Sequence, residues 1–295
     1  MIKQTLMFTT PVSLSLKDKQ LVVTFKDNKE KVVTRPIEDI GFVVIENPMV
    51  SITVPLLNEL SDNNVSVIFC DKKQMPKSML MSLDGNSTLQ ESYRYQFEAG
   101  APLKKRLWKQ LVESKIKNQA ALLDKVGEKG DVLKPYYMNV KSGDTDNREG
   151  SAARIYWNYL LGDGFRRERE GSPPNNLLNY GYTILRAAVA RALIGSGLYP
   201  AFGIFHRNRY NSFPLADDVM EPYRPFVDEI VYHLYNDGAS SELDSQAKGH
   251  LLRVLFSDVR IGKVTRPLEI ALSITTASLL KVYKGETDKL SLPMI

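Results

Sequence analysis

The chain has 295 residues, of which 43% are hydrophobic and 25% charged, as in an ordinary globular protein of about two domains. Its apolar stretches are broken well before the roughly 20 residues that a membrane helix needs, and its N-terminus has no signal-peptide pattern. A single cysteine, Cys70, excludes a disulfide framework and a multi-cysteine zinc site. A cytoplasmic protein without membrane contact is therefore expected.

The formal net charge is +5, and this charge is unevenly distributed along the chain. The first 85 residues carry equal numbers of basic and acidic side chains, so the whole basic excess lies after residue 85. Basic charge gathered in one part of a chain suits contacts with nucleic-acid phosphates. A solvated basic surface explains the charge equally well, so charge alone leaves both interpretations open.

The first part of the chain has the pattern of strands and turns. Residues 21–25 and 32–34 are short β-branched runs on either side of a turn-forming segment, which predicts a hairpin. Residues 40–45 and 65–70 are nearly continuous apolar runs, typical of strands buried on both faces. Between them, the apolar spacing of residues 53–63 predicts a short helix. We therefore expect a small β-rich, β-sandwich-like domain.

A polar, turn-rich stretch at residues 83–88 marks a change from a period of two to a period of 3.6. The domain boundary is placed there, between a domain over residues 1–85 and a larger one over residues 86–295. From residue 90 onward, apolar residues recur at helical spacing. Further helices are predicted at residues 150–161, 177–195, 218–234, 245–256 and 267–283. The chain is thus expected to be an α+β two-domain protein whose larger domain is all-α.

His206 follows an apolar stretch and precedes a basic loop. Asp218 and Glu221 come 12 and 15 residues later and are three residues apart, so on a helix they would face the same way. Imidazole and carboxylate ligands together suit Mg²⁺, Mn²⁺ or Zn²⁺. The same spacing also fits a surface loop that leads into an acidic first helical turn.

Glu149 is a further candidate because it lies at the start of a strongly patterned helix whose first turn has small residues. A glutamate at this position is also a common device for capping a helix or balancing its dipole, so its position leaves both roles open. Basic and aromatic residues occur near the acidic candidates, as phosphate contacts and base stacking require.

Other catalytic chemistries have little support in the sequence. Residues 195–197 lack the lysine and the spacing of a phosphate-binding loop. No Gly-x-Ser-x-Gly elbow occurs, so a serine hydrolase has no basis. Cys70 ends a predicted buried strand, where a free cysteine is usually a small hydrophobic residue.

Four ordered segments resemble the CRISPR-associated integrase that inserts new spacers, the universal subunit of the CRISPR adaptation machinery. They are residues 148–157 (REGSAARIYW), 178–185 (LNYGYTIL), 197–206 (GLYPAFGIFH) and 215–225 (LADDVMEPYRP). They occur in the family's order and at its typical separations, and the N-terminal strand pattern is similar too. The length and the Asn-Tyr-Gly-Tyr segment are most similar to members from type II systems.

The resemblance implies that Glu149, His206 and Glu221 are the catalytic residues and the ligands of a metal ion, Mg²⁺ or Mn²⁺. Asp218 matches a neighbouring acidic position and is a candidate for a residue that contacts the metal ligands without binding the metal itself. Because a metal-bound imidazole must be neutral, activity is expected to fall as the pH drops below the pKa of His206.

The resemblance also implies DNA contacts and partners. The candidates for DNA contact are arginines that would position phosphates and tyrosines that would line the site: Arg148, Arg207, Arg209, Arg224, Tyr180 and Tyr182. Each arginine is equally suited to a structural ion pair. The expected partners are double-stranded DNA, a second copy of the chain that dimerises through the N-terminal domain, a small ferredoxin-like adaptation subunit, and an RNA-guided effector nuclease.

The implied activity is that of a metal-dependent DNA integrase/endonuclease. A 3′-hydroxyl of a spacer precursor would attack a phosphodiester at the leader–repeat junction of the CRISPR array and release a new 3′-hydroxyl. Two alternatives stay open: a stand-alone metal-dependent nuclease without strand transfer, and a non-catalytic DNA-binding scaffold.

Overall fold

A computed structural model describes residues 3–28, 30–80, 88–236 and 242–295. The chain divides into two compact units, Met1–Ser87 and Thr88–Ile295. The boundary predicted between residues 85 and 86 lies outside the described residues. Within the described ranges, no helix is long and apolar enough to cross a membrane. Every candidate site residue lies in the larger unit.

The smaller unit contains two four-stranded β-sheets and a helix. Its elements are β1 (Gln4–Phe8), β2 (Val12–Lys17), β3 (Gln20–Phe25), β4 (Val32–Pro36), β5 (Ile40–Ile45), β6 (Ser51–Ile52), α1 (Val54–Asp62), β7 (Ser66–Cys70) and β8 (Pro76–Leu80). One sheet has the strand order β1-β5-β7-β8 and the other the order β4-β3-β2-β6. The prediction of a β-rich first domain is confirmed.

The register of the strands follows the apolar pattern. The predicted hairpin forms between β3 and β4, which pair antiparallel with Val22 opposite Thr34. β5 lies between β1 and β7 and is parallel to both, and all six of its residues are buried. A strand in this central position has no solvent side, which explains its continuous apolar sequence. Leu14, Val43 and Leu56 show that both sheets and α1 contribute to one core.

The larger unit is mostly helical. Its elements are α2 (Leu89–Glu98), α3 (Ala101–Lys125), α4 (Lys134–Tyr137), α5 (Arg148–Leu161), α6 (Asn175–Gly195), α7 (Pro214–Met220), α8 (Arg224–Asn236), α9 (Ser245–Leu252), β9 (Asp258–Ile261), β10 (Val264–Pro267) and α10 (Leu268–Tyr283). α6 packs against α7, α8, α9 and α10, and α3 packs against α5 and α8. The helices predicted at residues 150–161, 177–195 and 267–283 are confirmed to within two residues at each end. The helix predicted at 245–256 ends earlier and continues as a short 3-10 helix.

The segment predicted as one helix over residues 218–234 is broken. A 3-10 turn, Glu221–Tyr223, separates α7 from α8. Pro222 and Pro225 lack the backbone N–H that a continuous helix needs, which explains the break. The break matters for the site because Glu221 lies at the junction, where α3 packs against the turn.

The all-α expectation for the larger domain is wrong in one place, where β9 and β10 form an antiparallel hairpin. Gly262 and Lys263 connect the strands, and Gly262 adopts a φ of 59°, which glycine tolerates without a steric penalty. A two-residue connection that contains glycine between short alternating runs is a hairpin signature in the sequence.

Candidate active site

Glu149 lies in the first turn of α5, which two preceding side chains cap. Asn147 has a φ of 51° and accepts a hydrogen bond from the backbone N–H of Gly150 at 3.2 Å. The Asp144 carboxylate accepts the backbone N–H groups of Arg148 and Glu149 at 2.8 and 3.1 Å. Because these two residues satisfy the helix start, the Glu149 side chain is not needed as a cap and is available to another partner.

A fully buried carboxylate, Asp218 on α7, organises the loop that carries His206. Its oxygens accept the backbone N–H groups of Ile204, Phe205 and His206 at 2.5, 3.0 and 3.1 Å. Oδ1 of Asp218 also lies 2.6 Å from Nδ1 of His206. A carboxylate that already receives three N–H donors acts as the acceptor here too, so Nδ1 carries the proton. Nε2 therefore keeps its lone pair and is able to bind a metal ion.

The loop before His206 folds back on itself and lies against α7 so closely that residue 203 must be glycine. A Cβ at Gly203 would lie 2.6 Å from the carbonyl oxygen of His206 and 3.1 Å from Oδ2 of Asp218. An aromatic pair adds further support, because Phe205 stacks on Trp108 of α3 with ring centroids 4.2 Å apart. Trp108 also meets the imidazole of His206 edge-on. The imidazole is thus fixed by a carboxylate and by an aromatic ring.

The pKa of His206 is raised above its ordinary value. The hydrogen bond to Asp218 is the largest cause, burial acts in the opposite direction, and the negative charges of Asp218, Glu221 and Asp217 raise the pKa further. This imidazole therefore becomes neutral at a higher pH than a solvated histidine does.

Glu149 and Glu221 meet at a lysine that the sequence patterns did not single out. Nζ of Lys115, on α3, lies 2.6 Å from Oε1 of Glu149 and 2.5 Å from Oε2 of Glu221. The other oxygen of Glu221 lies 2.9 Å from Nε of Arg224. The side chains of Glu221 and Lys115 are 3% and 11% exposed, so this ion-paired cluster is largely shielded from water.

The pKa shifts in the cluster have the signs that ion pairing requires. Burial would raise the pKa of Glu221, but Arg224 and Lys115 lower it to about 2. Burial would lower the pKa of Lys115, but Glu221 and Glu149 raise it above its ordinary value. The stabilisation from charged Glu221 is therefore present above a pH of about 4.5 and is lost as the pH falls through about 2.

In residues 3–28, 30–80, 88–236 and 242–295, no three His, Cys, Asp or Glu side chains form a group that could hold a metal ion. Two of the three predicted ligands instead converge on the ammonium of Lys115, a cation with a single charge. Carboxylate oxygens and an imidazole nitrogen are nevertheless donors that Mg²⁺ and Mn²⁺ accept. The donor chemistry of Glu149, Glu221 and His206 therefore fits a divalent ion, and the ammonium brings the two carboxylates of this set together.

Two of the candidates for DNA contact are exposed and follow the candidate histidine directly in the chain. Arg207 and Arg209 both lie on the surface, and the Arg209 guanidinium lies 4.6 Å from the ring centroid of Tyr210. Arg148 is less accessible, and its guanidinium lies 3.7 Å from the carboxylate of Asp146. Of the four predicted arginines, Arg207 and Arg209 are therefore the most accessible to phosphates.

The other three candidates for DNA contact are largely enclosed. Arg224 pairs with Glu221 and lies 4.5 Å from the ring centroid of Tyr182. Tyr182 donates its hydroxyl hydrogen to the carboxylate of Asp228. Tyr180 has no exposed surface at all. Tyr180 therefore belongs to the core of the helical unit, and the prediction that it lines the site is corrected, since a fully enclosed side chain cannot touch DNA.

A cavity of about 630 Å³ adjoins the carboxylate cluster, since Lys115 and Arg224 form part of its wall. Its wall also contains basic and aromatic side chains: Arg154, Arg166, Arg167, Trp157, Phe165 and Tyr182. Asp228 lies in the wall as well and accepts hydrogen bonds from the hydroxyls of Tyr156, at 2.8 Å, and Tyr182. Burial raises the pKa of Asp228 to about 6, against the effect of the two tyrosine hydrogen bonds. A basic and aromatic cavity suits a nucleotide-sized anion.

Comparison with known proteins supports the resemblance seen in the four sequence segments. The family described as CRISPR associated protein Cas1 matches residues 6–269 of the chain. The CRISPR-associated endonuclease Cas1 of Neisseria meningitidis serogroup C (strain 8013) is 39% identical over 253 residues, which cover 85% of this chain and 82% of the relative.

Solved structures have a similar fold. A casposase bound to integration product has a TM-score of 0.82 at 18% identity, and the match covers 99% of this chain and 93% of that one. A chain of a Cas6-RT-Cas1–Cas2 complex has a TM-score of 0.73 at 20% identity, over 98% of this chain and 36% of that one. These likenesses concern the fold alone. Because the family match extends over most of the sequence, the chain belongs to the CRISPR-associated Cas1 family.

Proposed function

We propose that the chain is a metal-dependent DNA integrase that inserts new spacers into a CRISPR array. The observation that carries the proposal is the convergence of the Glu149 and Glu221 carboxylates on one cation, together with a histidine whose Nδ1 is held by Asp218, three residues before Glu221 in the chain. The names of similar proteins support this class of reaction, since one is called an endonuclease and another a casposase bound to integration product.

The proposed metal ligands are carboxylate oxygens of Glu149 and Glu221 together with Nε2 of His206. Mg²⁺ or Mn²⁺ bound there would polarise the target phosphate and stabilise negative charge on the attacking and leaving oxygens. Asp218 keeps the imidazole in the tautomer that has a lone pair on Nε2. Arg224 balances part of the charge of Glu221 from the other side.

The proposed reaction is a transesterification at the leader–repeat junction. A 3′-hydroxyl oxygen of the spacer precursor forms a bond to phosphorus, and the bond from that phosphorus to the 3′-oxygen of the leader strand breaks. The attacking hydroxyl loses its proton and the released 3′-oxygen gains one, so one phosphodiester replaces another. Arg207 and Arg209, both exposed, would position the phosphates of the DNA.

The proposal includes partners as well as a reaction. The chain would act as a homodimer together with a small ferredoxin-like adaptation subunit, on double-stranded DNA that serves as spacer precursor and as repeat array. The shared fold with a chain of a Cas6-RT-Cas1–Cas2 complex supports assembly with another Cas subunit. A type II system, an RNA-guided effector nuclease as a further partner and a cytoplasmic location stay predictions from the sequence.

A strand-transfer assay tests the proposal. The purified chain, with and without the small subunit, is incubated with a short duplex that has 3′-hydroxyl ends and with a supercoiled plasmid that carries a repeat array. We expect covalently joined products in Mg²⁺ or Mn²⁺ and none in chelator. Nicking without joining would favour the stand-alone nuclease. DNA binding without any metal-dependent chemistry, with the small subunit present, would favour the scaffold.

A further inference from the structure

We propose that Lys115 is a positioning residue that holds the Glu149 and Glu221 carboxylates together before a divalent ion binds and is displaced when the ion arrives. The inference rests on the proposed function, because it concerns the same metal site. It assigns a role to a side chain that belongs to none of the sequence segments that resemble the family.

The first step is the geometry of the metal-free chain. Nζ of Lys115 contacts one oxygen of each glutamate, at 2.6 and 2.5 Å. Two carboxylates drawn this close to one another repel unless a cation lies between them. Among the ion pairs of the described residues, Lys115 alone bridges the two, since Arg224 pairs with Glu221 only. Lys115 thus sets the separation of the two ligands in advance.

The second step is competition for the same oxygens. A divalent ion between the two carboxylates would lie within a few ångströms of the ammonium in its present place. Two cations at this distance repel one another strongly in a partly buried site. The divalent ion has twice the charge and binds carboxylate oxygens directly, so it takes the position. Lys115 must then move while Glu149 and Glu221 stay.

The third step is the destination of the displaced side chain. Lys115 already forms part of the wall of the 630 Å³ cavity, which contains Arg166, Arg167 and Arg224 and also the carboxylates of Asp163 and Asp228. An ammonium that turns into this space would be drawn toward these carboxylates, on a wall that is basic overall and suited to DNA phosphate. Loading of the metal would therefore add one positive charge to the surface that meets the substrate in the proposed reaction.

Displacing a buried ion pair costs free energy, so Lys115 should weaken metal binding while it stabilises the metal-free chain. We expect Lys115→Met to bind Mn²⁺ on the order of tenfold more tightly than the wild type, measured by titration calorimetry without DNA. In chelator, the thermal midpoint of this variant should lie below that of the wild type. Saturating Mn²⁺ should reduce the difference between the thermal midpoints of the variant and the wild type, because the ion removes the repulsion between the carboxylates.

Lys248→Met is the matched control, since Lys248 is another buried lysine, 2% exposed, and lies on α9. We expect this variant to keep the wild-type affinity for Mn²⁺ and to lose the same stability in chelator and in Mn²⁺. If Lys115→Met, like the control variant, bound Mn²⁺ no more tightly than the wild type, the role of Lys115 would be merely structural. The inference would then be wrong. Because no DNA enters this measurement, DNA joining by the wild type would still support the proposed function.

The wild-type chain offers a second test that does not depend on how a variant folds. In chelator, Lys115 is ion-paired and 11% exposed, so an amine-acetylating reagent should modify it slowly. We expect Mn²⁺ to increase the acetylation of Lys115 several-fold relative to that of Lys248, as read by mass spectrometry of peptides. Equal or slower acetylation of Lys115 in Mn²⁺ would contradict its displacement.

Discussion

Replacing Glu149 by glutamine is expected to abolish metal-dependent DNA joining while leaving the fold intact. Glutamine has the shape of glutamate without its charge, so one of the two carboxylates is lost from the proposed metal site. A loss of several kcal/mol of stabilisation in the transition state corresponds to a rate lower by about 10³-fold. The measurement is the initial rate of strand transfer in Mn²⁺, together with the thermal midpoint in chelator.

The fold should tolerate this change. The Glu149 side chain is 22% exposed, and Asn147 and Asp144 already satisfy the start of α5. Glu113→Gln is the matched control, because Glu113 lies on α3 and, within the described part of the chain, forms an ion pair with Lys109 alone, at 3.6 Å in a partly exposed position. Such pairs contribute about 0–1 kcal/mol, so this variant should join DNA like the wild type. Wild-type joining by Glu149→Gln would remove Glu149 from the ligand set, and equal losses in both variants would indicate a general effect of the substitution.

Asp218→Asn is expected to have the second-largest effect. It should weaken Mn²⁺ binding and joining by about 10–100-fold, the usual cost of losing the partner that orients a metal-bound histidine. Asp218 accepts three backbone N–H groups as well as Nδ1 of His206, and an amide has neither the charge nor the second acceptor oxygen to replace it.

The pH dependence of Asp218→Asn separates this role from a merely structural one. In the wild type the hydrogen bond to Asp218 raises the pKa of His206, so the imidazole loses its extra proton only at a higher pH. Without the carboxylate this pKa falls, and the acid limb of the joining rate should move to lower pH even though the maximal rate is reduced. The measurement is the joining rate as a function of pH at a fixed Mn²⁺ concentration below saturation for both proteins, where the proton and the metal ion compete for His206.

Asp217→Asn serves as the control for Asp218→Asn. Asp217 is the adjacent buried carboxylate, but it pairs with Arg186, at 2.6 and 2.8 Å, and with Asn211. It contributes less than Asp218 to the pKa of His206, so its replacement should move the acid limb much less. An acid limb that stays in place in Asp218→Asn, or that moves equally in both variants, would remove the support for the assigned tautomer.

The sequence patterns singled out the candidates whose surroundings are set by neighbours along the chain. Glu149 lies in the first turn of α5, and His206 and Asp218 are 12 residues apart, in a loop and the helix after it. The role of Glu149 and His206 as metal ligands stays a prediction. Lys115 could not be assigned this way. It lies four residues after Leu111 and directly before Ile116, both fully buried, so the sequence places a lysine on an apolar helix face. Which carboxylates neutralise it depends on the packing of α3 against α5 and the turn before α8.

The two tyrosines of α6 show a second limit of inference from motifs. Tyr180 and Tyr182 are two residues apart, so their side chains leave the helix about 200° apart. Tyr180 enters the core, and Tyr182 contributes to the cavity wall. A motif that contains both residues cannot tell which of them faces the site, because that depends on the rotation of α6 within the helical unit.

The break between α7 and α8 depended on residues that were visible in the sequence. The apolar pattern over residues 218–234 favoured one helix, whereas Pro222 and Pro225 removed the backbone donors that would hold it together. The resulting 3-10 turn contains Glu221, whose carboxylate pairs with Lys115. The two prolines were therefore the signal from which the interruption could have been predicted.

Anomalous scattering from Mn²⁺ in crystals of the wild-type chain would show whether Glu149, His206 and Glu221 hold one divalent ion. We expect a peak with an oxygen of each glutamate and Nε2 of His206 at about 2.1 Å, and with Lys115 no longer between the carboxylates. No peak at these three side chains, with Lys115 still bridging the glutamates at Mn²⁺ concentrations that support joining, would contradict the proposed metal site.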